Sequence, residues 1–221
     1  MTMNRRFCLA AVLVATSTHL LVAEQRPDAK QVKQEREQAE LDAPKLVEVL
    51  GVTPGMTIAD IGSGGGAMTV VLGHWIGPGR VYATDITEHA LRETGDYAKR
   101  EGLTNVTVIE GAAASTNLPA ECCDALFLRN VYHHIIDIAA FNKSLHASLK
   151  PGGRLAIIDF EAKPNPAEIP KGVPANRLGH GIPASVVIGE VTAAGFTHLR
   201  TIDAWPPGDK SPTLHLTLFR K

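Results

Sequence analysis

The chain has 221 residues, of which 44% are hydrophobic, and its formal net charge is -1, which suits one globular domain with a full hydrophobic core. There is no excess of Lys and Arg, and phosphate binding requires clustered cations, so the composition argues against a nucleic-acid substrate.

The first segment, residues 1–23, has the pattern of a secretory signal peptide. Arg5 and Arg6 precede an apolar run over 7–15, and Ala23 supplies a small residue before polar sequence. The sequence therefore predicts an exported, periplasmic protein, with an uncleaved membrane anchor as the alternative. The arginine pair fits ordinary secretion or twin-arginine export, and the second would carry an already folded protein.

Charged residues dominate the next segment, 24–43. Its low apolar content predicts a solvated helix that leads into a domain over 44–221. An amphipathic turn or two over 44–50 ends at Gly51, and a turn over 52–56 precedes the first strand.

From residue 57 onwards, the predicted elements alternate between strand and helix. Apolar, β-branched runs predict strands, and segments of helical period separate them. This alternation predicts an α/β, Rossmann-like sheet that is mostly parallel and has helices on both faces. The predicted strands occupy 57–61, 80–84, 105–110, 124–128 and 155–159, and the predicted helices occupy 67–76, 87–101 and a segment whose apolar face comprises Ile138, Phe141, Leu145 and Leu149.

The C-terminal part departs from this alternation. A helix is predicted over 183–194, and strand-like runs over 196–204 and 213–219 are joined by a turn. Two strands with a turn between them predict a closing antiparallel hairpin, which brings the expected sheet to seven strands.

Two of the three cysteines, Cys122 and Cys123, are adjacent in the sequence. Disulfide geometry requires a wider separation of the α-carbons than neighbours comfortably allow, and this spacing fits no metal site. The pair is therefore predicted to be small buried residues where a strand begins.

A glycine-rich loop follows the first predicted strand and opens the next helix. It is written Asp60-x-Gly62-x-Gly64-x-Gly66, and glycines allow both a tight turn and the close approach of a ligand. Asp85 ends the second strand, where a carboxylate can accept hydrogen bonds from both ribose hydroxyls. Together these features predict an adenosine cofactor, with NAD and S-adenosylmethionine both open.

The loop spacing, the turn over 149–155 and the closing hairpin resemble class I S-adenosylmethionine-dependent methyltransferases that act on small molecules. The resemblance covers about residues 45–220. It implies that S-adenosyl-L-methionine is the cofactor and that a methyl group passes to a small molecule, whose acceptor atom stays open. It also implies cofactor contacts at Asp60, Gly62, Ser63, Gly64, Gly66, Asp85, Ile86, Ala112 and Asn130.

Ala112 stands where members of that family often have an Asp that accepts from the adenine amino group. This departure favours one alternative, a non-catalytic protein that binds an adenosyl ligand on the same fold. A second alternative is a nicotinamide-dependent oxidoreductase.

Polar residues also follow the fourth predicted strand. The resemblance implies that Tyr132, His133 and His134 line the substrate pocket. A histidine there has an ordinary pKa near working pH, so His133 or His134 is the candidate general base.

A second polar cluster follows the fifth predicted strand. Asp159 ends that strand, and Arg177 and His180 lie in a glycine-containing loop that is expected to fold over the pocket as a lid. We expect all three to contact substrate, with Arg177 meeting an anionic group. His133, His134, His180 and Asp159 are of types that bind metals, but they are far apart in sequence and no metal is predicted.

Overall fold

The computed structural model of the protein describes residues 29–162, 180–208 and 213–221. The predicted signal segment, 1–23, lies outside the described residues. So does Arg177, with most of the loop that precedes His180.

One seven-stranded sheet organises the fold. Its strands are β1 (Thr57–Ile61), β2 (Arg80–Asp85), β3 (Val106–Glu110), β4 (Cys123–Arg129), β5 (Leu149–Phe160), β6 (Thr197–Trp205) and β7 (Leu214–Arg220). They lie in the order β3-β2-β1-β4-β5-β7-β6. The first five pair in parallel, whereas β7 is antiparallel to both β5 and β6. The predicted fold class is confirmed, including the closing hairpin.

Helices cover both faces of the sheet and enclose two apolar clusters. They are α1 (Ala29–Leu50), α2 (Ala67–Trp75), α3 (Glu88–Arg100), α4 (Ile138–Ser148) and α5 (Ala184–Ala193), with a short 3-10 turn at Tyr132–His134. Ile58 and Ala59, neighbours on β1, enter opposite clusters, as the alternation of side chains along a strand requires. Within the described ranges, no helix combines the length and the apolar character needed to cross a membrane.

The charged N-terminal segment is more firmly attached to the domain than the sequence suggested. Helix α1 runs through Pro44 without a break, and Ala39, Asp42 and Ala43 are buried together with its last turns. Nε of Arg129, at the end of β4, donates to Asp42 Oδ2 at 2.6 Å. The predicted boundary at 43/44 therefore cuts a packed helix. The sequence could not reveal this, because the cation that neutralises Asp42 is 87 residues away.

Strand β5 begins earlier than predicted. It starts at Leu149, which pairs with Cys123 across an irregularity in the β4–β5 register, so the turn expected over 149–155 belongs to the strand. The backbone N–H of Lys221 donates to Gly153 O at 3.0 Å, which gives this stretch a partner on its other side. Pairing with β4 on one side and with Lys221 on the other therefore decides this local structure.

The structure joins Cys122 and Cys123 in a disulfide. The prediction that the two remain unpaired was wrong, although Cys123 is fully buried at the start of β4, as expected.

Candidate functional site

The predicted site residues gather at the carboxyl edge of the sheet. The glycine loop leaves β1, Asp85 ends β2, Asn130 follows β4, and Asp159 lies near the end of β5. Strand β1 lies between β2 and β4, and β4 lies next to β5. The chain therefore changes direction across the sheet between β1 and β4, which is where open α/β sheets bind ligands.

The glycine loop is fixed by backbone hydrogen bonds to β2 and by a side chain of α3. The N–H groups of Gly62 and Ser63 donate to Thr84 O at 2.7 and 2.9 Å. The Thr94 hydroxyl donates to Gly64 O at 3.0 Å. Gly66 has φ +81°, and a Cβ there would lie 2.9 Å from the Thr94 Cα, so this glycine is required both by its conformation and by the close packing of α3.

Asp85 is held in place from two directions. Its Oδ2 accepts from the Gly64 N–H at 3.1 Å, and its Oδ1 accepts from the backbone N–H and the hydroxyl of Thr87, both at 3.0 Å. The neighbouring Ile86 has 66% of its surface exposed. The carboxylate is therefore oriented toward the glycine loop, with an open apolar side chain beside it.

Asp60 lies beneath the loop rather than on its surface. It is 3% exposed, and the Thr69 hydroxyl of α2 donates to its Oδ2 at 2.7 Å. Burial raises the pKa of the Asp60 carboxyl to about 7, because the charged form loses its hydration; the Thr69 hydrogen bond opposes this shift and the Asp85 charge adds to it. Asp60 thus stabilises the interior of the loop and titrates close to neutral pH.

Ala112 and Asn130 lie at the edges of this region, and both are exposed. The Ala112 N–H donates to Ser115 O at 2.7 Å, so its backbone is already bonded and its side chain offers no acceptor. Asn130 adopts the left-handed φ of +57°, which asparagine tolerates better than most residues. The next residue, Val131, packs so closely on Gly62 that a Cβ there would lie 2.5 Å from its Cγ2. The glycine loop therefore touches the segment that carries His133 and His134.

His133 and Asp159 form a buried pair. The Asp159 carboxylate lies 2.8 and 3.0 Å from the His133 Nδ1 and also accepts from the backbone N–H groups of His133 and Phe160. Asp159 is 0% exposed and His133 is 1% exposed. Because a carboxylate only accepts, Nδ1 carries the proton and the lone pair of a neutral ring is at Nε2. That Nε2 is enclosed and has no hydrogen-bond partner among the described residues.

Two exposed histidines adjoin this pair. The ring of His134 is 3.9 Å from that of His133, and the ring of His180 is 4.8 Å from it, measured between centroids. His134 is only partly shielded from water, but this desolvation lowers its pKa, and the neighbouring His133 and His180 lower it further, because each disfavours a second positive charge. The neutral, nucleophilic form of His134 is therefore favoured at physiological pH.

The position of His180 is set by the two residues after it. Ile182 is fully buried, and its N–H donates to Phe160 O at 2.8 Å. Its carbonyl oxygen lies 2.9 Å from the His215 Nε2 of β7. Gly181 has φ +105°, and a Cβ there would lie 2.8 Å from Phe160 O. Gly181 thus lets the chain pass close over the end of β5.

Two predicted substrate contacts lie in the interior instead. Tyr132 is 0% exposed within the apolar cluster, and its hydroxyl accepts from Asn142 Nδ2 at 2.8 Å. It is the first residue of the 3-10 turn, which directs it inward as the two histidines follow. Asp159 contacts His133 rather than open space. Both residues support the site from below and do not line it.

Sequence reasoning missed several residues that shape the site: Thr69, Thr94, Arg129, Val131, Phe160 and His215. Most of them act through a partner that is distant in sequence, so local patterns carried little signal for them. Val131 and Phe160 directly follow predicted site residues, and Thr69 lies nine positions from Asp60.

Comparisons with known proteins agree with this geometry. Residues 59–157 match the family model of a methyltransferase domain. Over 116 residues the chain is 29% identical to a ubiquinone/menaquinone biosynthesis C-methyltransferase UbiE of Shewanella sp. (strain W3-18-1), a segment that covers 52% of this chain and 46% of that protein. The chain therefore spans about half the length of the curated relatives it matches.

Solved structures share the fold across a larger part of the chain. A SAM dependent methyltransferase from Aquifex aeolicus gives a TM-score of 0.67 at 23% identity, covering 88% of this chain and 99% of that one. The cyclase SpnF gives a TM-score of 0.68 at 16% identity, covering 90% and 84%. At such identities the likeness establishes the fold, and one fold can serve different reactions.

Proposed function

We propose that the chain is a class I methyltransferase that binds S-adenosyl-L-methionine and transfers the methyl group to a small molecule. The methyltransferase-domain match over 59–157 and the shared fold support this proposal. One observation carries this proposal. The glycine loop and Asp85 lie together at the ends of neighbouring strands, directly beside the segment with His133 and His134. The relative named above acts in quinone biosynthesis, which supports a small organic acceptor.

The residues present fit the adenosyl group in part. A Cβ at Gly64 would meet nothing within 4 Å, so the crest of the loop faces open space. A carboxylate offers about four lone-pair sites, and the Asp85 carboxylate uses three of them, so one remains for a ribose hydroxyl. A second ribose bond requires the Gly64 N–H to release Oδ2. Ile86 offers an exposed apolar surface for the adenine, whereas Ala112 offers no acceptor for its amino group.

When bound, the cofactor supplies an electrophilic methyl group on a sulfonium. The chain must hold the acceptor in line with that group and take up a proton where the acceptor carries one. His134 meets the second requirement because it is exposed and its pKa is lowered. His133 is enclosed, so we assign its Asp159-bound ring to positioning within the cluster.

Titration calorimetry of the full chain tests the cofactor. We expect micromolar binding of S-adenosylmethionine and S-adenosylhomocysteine and none of NAD. If neither adenosyl ligand binds, the proposal is refuted, and binding of NAD alone would support an oxidoreductase.

A second measurement distinguishes an enzyme from a non-catalytic adenosyl-binding protein. With a panel of small phenols, quinols and amines, the wild-type chain should release S-adenosylhomocysteine. His134→Ala should keep its cofactor affinity while turnover falls by about 100-fold or more, the usual contribution of a general base. Cofactor binding without turnover by the wild-type chain on any acceptor would favour the non-catalytic alternative.

We also propose that the protein is exported to the periplasm. The support is the sequence of residues 1–23, with its basic start, apolar run and terminal Ala23. Cell fractionation with mass spectrometry of the mature N-terminus tests this. A periplasmic chain that begins at Glu24 is the expected result, and a cytosolic chain that begins at Met1 would overturn the proposal.

A further inference from the structure

We propose that His133, His134 and His180 bind one divalent transition-metal cation, with Asp159 as the supporting carboxylate. Cation binding does not rest on the proposed methyl transfer, because it follows from the arrangement of these four side chains alone.

The three rings converge from two separate loops. His133 and His134 follow β4, and His180 follows β5 after a long connection. One nitrogen from each ring lies within 4.8 Å of the other two, and among the described residues this is the one group of three metal-ligating side chains so close together. The convergence brings three nitrogen ligands to one point at the carboxyl edge of the sheet.

His133 is already oriented as a metal ligand. Asp159 accepts the Nδ1–H at 2.8 Å, which leaves the lone pair at Nε2, and this nitrogen is buried without a hydrogen-bond partner among the described residues. A buried acceptor with no donor is costly, and a cation at this position would remove that cost. Metal-bound histidines almost always donate their other ring N–H to a carboxylate or carbonyl, which is the arrangement here.

The remaining two ligands have room to move. His134 and His180 are both exposed, and the backbone after His180 is fixed by Gly181 and Ile182. At zinc–nitrogen distances of about 2.0–2.1 Å, tetrahedral ligands lie about 3.4 Å apart. The widest separation between the ring nitrogens here is 4.8 Å. Inward rotation of the exposed rings must therefore bring these nitrogens closer by roughly 1.4 Å to form the site. The buried ring would stay fixed and the exposed rings would complete the site.

The ligand set determines the class of cation. Three imidazoles suit zinc, cobalt, nickel or copper, whereas magnesium and calcium prefer oxygen ligands. Three protein ligands leave a fourth position open to a small molecule or water. The Asp159 carboxylate behind His133 would offset part of the positive charge.

The cation would lie beside the glycine loop, because Val131 packs directly on Gly62. A hydroxyl bound at the open position would release its proton to solvent water more readily, since a bound cation lowers the pKa of such a group. The same nitrogens cannot serve as ligand and base at once. In the metal-bound protein, the cation therefore replaces His134 as the group that activates the acceptor, and this consequence alone rests on the proposed methyl transfer.

Cobalt titration of the untagged full chain, stripped of metal with a chelator, tests the site without any cofactor. We expect one equivalent of Co²⁺ per chain, visible as d–d absorption, and its displacement by Zn²⁺. His180→Ala and His134→Ala should each weaken binding by about 100-fold or more. Asp159→Asn should weaken it by about 10–100-fold, as loss of a supporting partner does.

The matched control is His74→Ala, an exposed histidine on α2 that pairs with Glu101 and should leave cobalt affinity unchanged. No stoichiometric binding by the wild-type chain would overturn the proposal. So would wild-type affinity in both His180→Ala and His134→Ala, or an equal loss in the His74 control. Because the readout needs no S-adenosylmethionine, failure of the metal site and failure of the methyltransferase proposal are separate results.

Discussion

The buried carboxyl of Asp60 gives the protein a pH-dependent stability that a single substitution should abolish. An acid whose pKa is higher in the folded chain holds its proton there after the unfolded chain has released it. The free energy of unfolding contributed by Asp60 is therefore fully present below pH 3.8 and is lost as the pH rises to about 7. At about 1.4 kcal/mol per pH unit, that interval corresponds to a loss of about 4 kcal/mol.

Urea unfolding of the wild type and of Asp60→Asn at pH 5, 6, 7 and 8 measures this effect. Between pH 5 and pH 8, we expect the wild type to lose about 2.5 kcal/mol more stability than the variant. Any cost of leaving the N–H donors of the buried Asn unsatisfied does not depend on pH, so it cancels in the comparison. All other titrating groups are common to both chains.

Asp124→Asn is the control, because the pKa of the Asp124 carboxyl is lowered in the folded chain whereas that of Asp60 is raised. Although burial raises the pKa of Asp124, hydrogen bonds from the Lys150 ammonium and the Thr57 N–H outweigh that effect and hold it below 3.8. The stability it contributes is present above that value and is lost only as the pH falls through its folded pKa. Its profile should therefore run parallel to the wild type from pH 5 to 8. Parallel profiles for Asp60→Asn as well would refute the reasoning.

Three further sets of substitutions test the site and its support. Gly66→Ala should lower the free energy of unfolding by about 2–3 kcal/mol in a thermal melt, and Gly64→Ala, left-handed but facing open space, by only about 1. Arg129→Met should lower the free energy of unfolding by about 3–5 kcal/mol, because it leaves the Asp42 carboxylate buried without its cation. Adding Asp42→Asn should recover most of that loss, and no recovery would contradict the ion-pair argument. Asp85→Asn should weaken S-adenosylmethionine binding about 10–100-fold by calorimetry, and unchanged affinity would exclude Asp85 from the cofactor site.

The strands and the glycine loop were predictable because their signals are local. Residues 57–61 form a strand at the predicted bounds, since a short apolar, β-branched run admits few alternatives. The left-handed φ values at Gly62, Gly64 and Gly66 follow from the residue type itself. Asp85 could be assigned to the end of β2 because the strand signal over 80–84 is also local.

The errors arose where distant residues decide the local structure. Charged sequence alone could not show that Asp42 is buried against Arg129, nor could local sequence show that pairing with Cys123 of β4 extends β5 back to Leu149. Tyr132 looked like a pocket residue beside two histidines, but the 3-10 turn directs it into the core.

The sequence by itself determined the α/β alternation, the loop for a nucleoside ligand and the residue types at the end of each strand. The tertiary structure alone decided which of those side chains meet. His133 and His180 are 47 positions apart, and they come together because β4 and β5 are neighbours in the sheet and Gly181 passes closely over Phe160. The carboxylate that orients His133 is likewise chosen by strand pairing, since hydrogen bonds act over about 3 Å in space and not along the chain.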